Sequence, residues 1–220
     1  MIITIDGPAG SGKSTVARRL AAALGIAYLD TGATYRAVAY KAMRDGVDLN
    51  DEQALARLAE QIELSLHPEP EGVRVMLDGL DVSRQIRSAE VSDNVHLVAR
   101  APAVRQVLVE LQRELGKALG SFVSEGRDQG SVVFPKADIK FYLDAGPEVR
   151  ARRRYEEMRA DGQDVRYEQI LQAINSRDGR DRSRAVAPLV KPSGAIEIDT
   201  SDMSVEEVTA RLVRHVEATT

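Results

Sequence analysis

Gly7-Pro8-Ala9-Gly10-Ser11-Gly12-Lys13-Ser14-Thr15 satisfies the spacing G-x-x-x-x-G-K-[ST] without a mismatch. The chemistry this run supports is capture of a polyphosphate. Glycines let successive backbone N–H groups turn inward around phosphate oxygens, where a side chain would obstruct them. Lys13 can reach β- and γ-phosphates, and the Ser14 hydroxyl can hold Mg²⁺. A glycine-rich turn could also simply join a strand to a helix. Lysine, hydroxyl and flanks are all in place here, so the expected ligand is ATP, bound along Gly7 to Thr15.

Three further groups could handle oxyanions. Thr31, Tyr35 and Arg36 open a helix after Asp30, where Arg36 could clamp a second phosphate group, that of an acceptor. Glu125-Gly126-Arg127-Asp128-Gln129-Gly130 places Arg127 to bind the acceptor phosphate. Asp128 there could accept from a base amino group or organise Mg²⁺-bound water. Arg177, Arg180, Asp181 and Arg184 fall at i, i+3, i+4 and i+7, one face of a helix. Three arginines on one face repel unless an anion or acid sits among them, and Asp181 offsets only part of that. With Lys13, the arginines at 127, 180 and 184 form the candidate catalytic set. Each group also has a plainer reading as a helix start, a surface turn or a solvated face.

The elements that must position these groups alternate. Ile2-Ile3-Thr4-Ile5 is a β-branched run before the glycines, and a helix follows to Leu24. Further strands are expected at 26–29, 121–124, 139–143 and 195–198. Helices are expected at 33–44, 52–61, 103–119, 147–160, 164–182 and 205–217. Strands alternating with helices after such a loop imply a parallel sheet covered on both faces, with ligands at the carboxyl ends of the strands. Asp30, Gly126-Arg127-Asp128 and Asp144 all fall at such ends. Residues 62–98 break the pattern: Ile62–Leu66 and Val73–Leu77 alternate around a Pro/Gly turn at 68–72, and Asp78-Gly79 follows, which reads as a small antiparallel insert. The fold expected is therefore α/β, a P-loop NTPase fold with a central parallel sheet flanked by helices, carrying that insert and a helical lid.

Composition narrows the partners. A net charge of −4 and no tryptophan argue against a nucleic-acid groove, and no apolar run approaches membrane-span length. With no cysteine, disulfides and thiolate sites are excluded. The three histidines have no ligand spacing. Met1 leads directly into the first strand, so a cytoplasmic location is expected. Arginine outnumbers lysine 24 to 6, and all ten basic residues from Arg150 to Arg184 are arginine, the side chain suited to bidentate phosphate contacts. The arginine-bearing stretch near 151–168 is expected to act as a cover that keeps water from the transferring phosphoryl group.

The segments GPAGSGKST, DTGATYR, EGRDQGSVVFP and RDGRDRSRAVAPL resemble, in order and spacing, those of the bacterial cytidylate kinase family of nucleoside monophosphate kinases. The resemblance covers essentially the whole chain. It implies γ-phosphoryl transfer from ATP, with Mg²⁺, to CMP or dCMP by a monomeric single-domain enzyme. Its core would be residues 1–30, 100–150 and 185–220, its acceptor-binding region 31–99 and its lid about 151–168. It further implies that Arg36, Arg127 and Arg184 hold the acceptor phosphate and that Asp128 and Arg105 read the cytosine edge. Arg177, Asp181 and Tyr35 would lie near the sugar and its phosphate. Thr31 stands where the family often has serine, which keeps the hydroxyl. His96 replaces a serine commonly set against the base, and Gln129 replaces an apolar residue. A uridylate/cytidylate kinase with looser base choice is the nearest alternative. A P-loop switch would need a guanine-reading N-K-x-D, which the sequence lacks, and a nucleic-acid-binding ATPase would need a basic groove with aromatics.

Overall fold

The computed structural model describes residues 1–69, 72–160 and 162–219. Five parallel strands form the central sheet: β1 (Ile2–Asp6), β2 (Ala27–Asp30), β6 (Phe122–Gly126), β7 (Ile139–Asp144) and β8 (Ile196–Asp199), in the order β2-β6-β1-β7-β8. Thr4, Ile5 and Asp6 are consecutive and all fully buried, so both faces of the central strand are covered. That is why β1 reads as a continuous β-branched run rather than an alternating one. The helices are α1 (Lys13–Leu24), α2 (Thr31–Arg44), α3 (Glu52–Gln61), α4 (Ala89–Arg100), α5 (Pro102–Leu119), α6 (Pro147–Ala160), α7 (Tyr167–Arg182) and α8 (Val205–Glu217). Their starts follow local chemistry. Asp30 and Asp51 accept from the amides of Ala33 and Ala54, and Ser204 with Glu207 forms a reciprocal capping box.

The insert is smaller than its sequence texture implies. Strands β3 (Leu64–Glu69), β4 (Gly72–Leu77) and β5 (Leu80–Asp81) make the antiparallel sheet, paired from Leu64↔Leu77 to Glu69↔Gly72. Residues 70 and 71, inside the expected turn, lie outside the described residues. Beyond Asp81 the expected insert gives way to α4, whose Val91 and Val98 are buried and whose Ser88 caps the first turn. Ser88 and the spacing of Val91, Val95 and Val98 are helical signals that the neighbouring β texture masked.

Leu64, Leu66, Val73, Val75 and Leu77 of the small sheet join the hydrophobic core of the central sheet, so the insert is continuous with the main body. A second core gathers α2, α3, α4 and α5. A third, small one packs Ala151, Ile170 and Ile174 between α6 and α7. Among the described residues no helix is long and apolar enough to cross a membrane.

Candidate active site

The loop between β1 and α1 is threaded against the end of β7. Gly7 has φ 150°, and a Cβ there would sit 2.0 Å from the Leu143 carbonyl oxygen. Only glycine fits. Gly7→Ala is expected to lower stability by roughly 3 kcal/mol, measured as a fall in the urea midpoint at unchanged slope. A stability loss under about 0.5 kcal/mol would mean the loop is not pinned there. At the other end Gly12 is left-handed (φ 85°) and caps α1 without a side-chain acceptor, so the first amides and the positive helix end are left for an external anion.

Lys13 is 4% exposed, and its Nζ donates to the Pro8 carbonyl oxygen at 2.5 Å. Burial, then the positive field of Arg127, holds its pKa well below the ordinary lysine value. Ser14 Oγ donates to Glu125 Oε1 at 2.8 Å, so a hydroxyl and a carboxylate meet beside the loop. Tyr28 Oη donates to the same carboxylate oxygen at 3.4 Å. Asp6, at the end of β1, accepts from the amides of Gln129 and Gly130, both at 2.7 Å. Burial dominates those bonds and pushes its pKa up to about 6. These two amides open a π-helical turn, Gln129–Val133, which is thereby fastened to the strand that carries the phosphate loop.

Near the loop is a basin of arginines, of which 36, 87, 105, 127 and 184 are each paired with a carboxylate. Arg36 bonds Asp30 at 2.8 Å, and Arg87 reaches the same oxygen at 3.2 Å. Arg127 Nε donates to Asp181 Oδ2 at 3.0 Å while Arg184 pairs with Asp181 Oδ1. Burial raises the Asp181 carboxyl, but Arg127 and Arg184 overcome it and leave its pKa below the usual value. Arg177 lies open to the cleft. Desolvation there and the charge of Arg127 lower its guanidinium to about 10. Deeper in, Arg105 pairs with Asp128 and stacks over Tyr35, its Cζ 5.5 Å from the ring centroid. Both members of the pair are buried, and burial raises the Asp128 carboxyl in spite of Arg105. The Tyr35 hydroxyl is buried without a partner among the described residues, and burial takes its pKa to about 12. Thr31 Oγ1 donates to the Glu125 carbonyl at 2.7 Å, fixing the start of α2 against β6.

Guanidiniums 36, 105, 127, 177 and 184 thus face carboxylates 30, 128 and 181. The excess positive charge is what a phosphate monoester dianion would neutralise.

The structure brings together the residues that three separate sequence motifs supplied, with two amendments. The expected single helical face from Arg177 to Arg184 does not exist, because α7 ends at Arg182. Ala187 takes φ 51° ahead of Pro188, a residue that disfavours helix at the preceding position, and Leu189 N bonds back to the Asp181 carbonyl oxygen. Arg184 reaches Asp181 from the turn instead. Arg180 is exposed and makes no side-chain bond among the described residues. His96 sits half-buried on α4, its ring Nδ1 2.7 Å from the Asp93 carbonyl oxygen. Gln129 is buried and accepts from Ser124 Oγ at 2.8 Å, a polar contact an apolar residue could not make.

Asp6 was missed as a site member, and Glu125 and Asp30, though placed at ligand-bearing strand ends, were given no role. An acid closing an otherwise apolar strand is the signal that marks the first two. Asp30 closes a strand in the same way.

A phosphate cradle at the carboxyl edge of a parallel sheet, opposed by an arginine basin, defines a P-loop phosphotransferase acting on a phosphate-bearing acceptor. A model of the family described as cytidylate kinase matches residues 3–218. The cytidylate kinase of Pelotomaculum thermopropionicum is 54% identical over 217 residues, covering 98% of this chain and 96% of that protein. That of Actinobacillus succinogenes is 42% identical over the full length of both chains. An uncharacterised protein from Eubacterium ventriosum shares the fold at 15% identity, with a TM-score of 0.51 over 99% of each chain. The chain belongs to the cytidylate kinase family.

Proposed function

We propose that this protein transfers the γ-phosphoryl group of ATP to a phosphate oxygen of CMP or dCMP, giving ADP and CDP or dCDP. The observation that carries the reading is that Arg127 and Arg177 lie within electrostatic reach of Lys13, while Arg127 and Arg184 share the Asp181 carboxylate. Family membership narrows the acceptor to a cytidine monophosphate.

The acceptor oxygen is already a competent nucleophile near neutral pH, so no general base is required. It bonds to the γ-phosphorus as the bond to the β–γ bridging oxygen breaks, and ADP leaves with the electron pair. Catalysis is alignment plus charge stabilisation. The amides of Gly7 to Thr15 and Lys13 hold the donor phosphates. Arg36, Arg127 and Arg184 hold the acceptor phosphate, with Arg177, Asp181 and Tyr35 near its sugar. Asp128 and Arg105 read the cytosine edge, and a wrong base would leave that buried pair unsatisfied. Exposed Arg180 closes on the transferring group with the lid at about 151–168, of which residue 161 lies outside the described residues. Residues 31–99 form the acceptor-binding region.

Mg²⁺ fits beside the loop, because Ser14 Oγ and a Glu125 oxygen are hard donors 2.8 Å apart. No cluster of three or more His, Asp or Glu is gathered among the described residues, and an ion completed by phosphate oxygens needs none. When bound it neutralises charge building on the β- and γ-phosphates. The enzyme is proposed to act as a monomer in the cytoplasm, where both nucleotide substrates are dissolved.

The test is ADP formation from Mg-ATP with CMP, dCMP, UMP, AMP or GMP supplied separately. CMP and dCMP are expected to be turned over, with kcat/KM roughly 10²-fold or more above the others. Comparable turnover of UMP would make this a looser pyrimidine kinase and place the cause at His96. No acceptor-dependent turnover would overturn the kinase reading.

A further inference from the structure

Among the described residues Arg150 is the largest fully buried side chain, and its environment is unlike that of the other arginines in its run. Its guanidinium is spent on three separate elements. Nε donates to the Ala145 carbonyl at the end of β7 (2.8 Å), and Nη1 donates to the Ala9 carbonyl of the phosphate loop (3.0 Å). Nη2 bonds Asp178 Oδ2 on α7 at 2.6 Å, with both side chains buried. The contact with the loop extends along the stem, since a Cβ at Gly10 would stand 3.2 Å from Arg150 Cβ. Asp178 Oδ1 is buried without a partner among the described residues, so the pair is incompletely satisfied.

A buried, half-satisfied ion pair contributes little to stability compared with apolar packing of the same volume, so stability alone is a poor account of it. The loop contact supplies a better one. In a trans peptide the carbonyl and the following N–H point in opposite directions. Holding the Ala9 carbonyl against α6 therefore fixes the Gly10 N–H pointing away from α6. Asp178 sits three residues before Asp181 on α7, and Asp181 holds Arg127 and Arg184. One helix thus carries a carboxylate directed at the donor loop and another directed at the acceptor arginines.

We propose that Arg150 and Asp178 form a positioning strut that orients the Ala9–Gly10 peptide of the phosphate loop toward the ATP phosphates and registers that loop with α7. The inference rests on the kinase reading above. The pair acts through the loop backbone, by the bond from Arg150 Nη1 to the Ala9 carbonyl.

The strut is tested with Arg150→Met, Arg150→Lys and Asp178→Asn. Each is measured for equilibrium binding of Mg-ATP without acceptor, for KM of ATP and of CMP, and for thermal unfolding. The expected order is a weakening of ATP binding by roughly 30-fold for Arg150→Met and about 10-fold for Arg150→Lys. Asp178→Asn keeps an acceptor for Nη2 and is expected to weaken it by about threefold. The KM for CMP is expected to stay within twofold throughout. ATP binding within twofold of the original protein in a folded Arg150→Met or Arg150→Lys would overturn the strut, as would equal weakening of both substrates. Loss of folding in the isosteric Asp178→Asn would overturn it too, because the pair would then be carrying the fold. Failure of the kinase reading looks different: the unmodified protein would bind Mg-ATP yet form no ADP in response to CMP.

Discussion

Lys13→Met is expected to lower kcat by roughly 10³-fold while raising the thermal midpoint of the ligand-free protein. The two effects share one cause. Lys13 is buried and faces Arg127, and both facts disfavour its ammonium. A γ-phosphate reverses that balance, and the same ammonium then stabilises the charge that moves during transfer. Methionine keeps much of the stem's volume and removes the charge. A gain of about 1 kcal/mol would raise the midpoint by some 2–4 °C in a chain of this size. The pH dependence follows from the direction of the shift. The folded-state pKa lies below the unfolded value near 10.5, so between the two the unfolded chain binds more protons and stability rises with pH. The penalty is complete below the folded-state pKa. The midpoint advantage of Lys13→Met should therefore shrink as pH is raised toward 10.5. A fall in kcat of less than tenfold would remove Lys13 from the transferring group, and a lowered midpoint would contradict the electrostatic account.

Arg184→Ala should separate chemistry from donor binding. Its guanidinium shares Asp181 with Arg127, and the charges felt at Lys13 are those of Arg127 and Arg177. The expected result is a kcat lower by roughly 10²-fold and a CMP KM raised about tenfold, with the ATP dissociation constant within twofold. Combining it with Arg127→Ala should give less than the product of the two single losses, because both arginines bond one carboxylate. Unchanged turnover would exclude Arg184 from the transition state. A parallel loss of ATP affinity would move it to the donor side.

Much of this site was legible because its parts are local in sequence. The phosphate loop is a contiguous motif, and Arg36, Arg127 and Asp128 stand at strand ends where a parallel sheet exposes ligands. The positions of Asp51, Pro147 and Ser204 likewise announced α3, α6 and α8, since caps and first-turn prolines act within four residues. What stayed hidden depends on distant partners. Arg150 opens a run, Arg150-Ala151-Arg152-Arg153-Arg154, in which nothing local distinguishes the buried member. Its selection comes from the carbonyls of Ala9 and Ala145 and from Asp178, 141, 5 and 28 residues away. Arg184 was assigned to a helix that stops two residues earlier, because periodicity is blind to a left-handed alanine before Pro188. The helix α4 was absorbed into the insert because β texture on one side outweighed Ser88 on the other.

The strand that leads into the phosphate loop is also the middle strand of the sheet, and it is made first. Its two neighbours are β6 and β7, so Ile3 waits for Val123 on one side and Ile139 on the other. During synthesis at about 5–20 residues per second, the loop therefore exists for several seconds as a glycine-rich segment with no sheet to shape it. Gly7 meets the Leu143 carbonyl only after β7 has emerged. The packed form of the loop accordingly arises late, when a strand encoded far downstream closes on β1. A chain truncated ahead of β7 carries the complete phosphate-binding motif without the Leu143 carbonyl against which Gly7 is set.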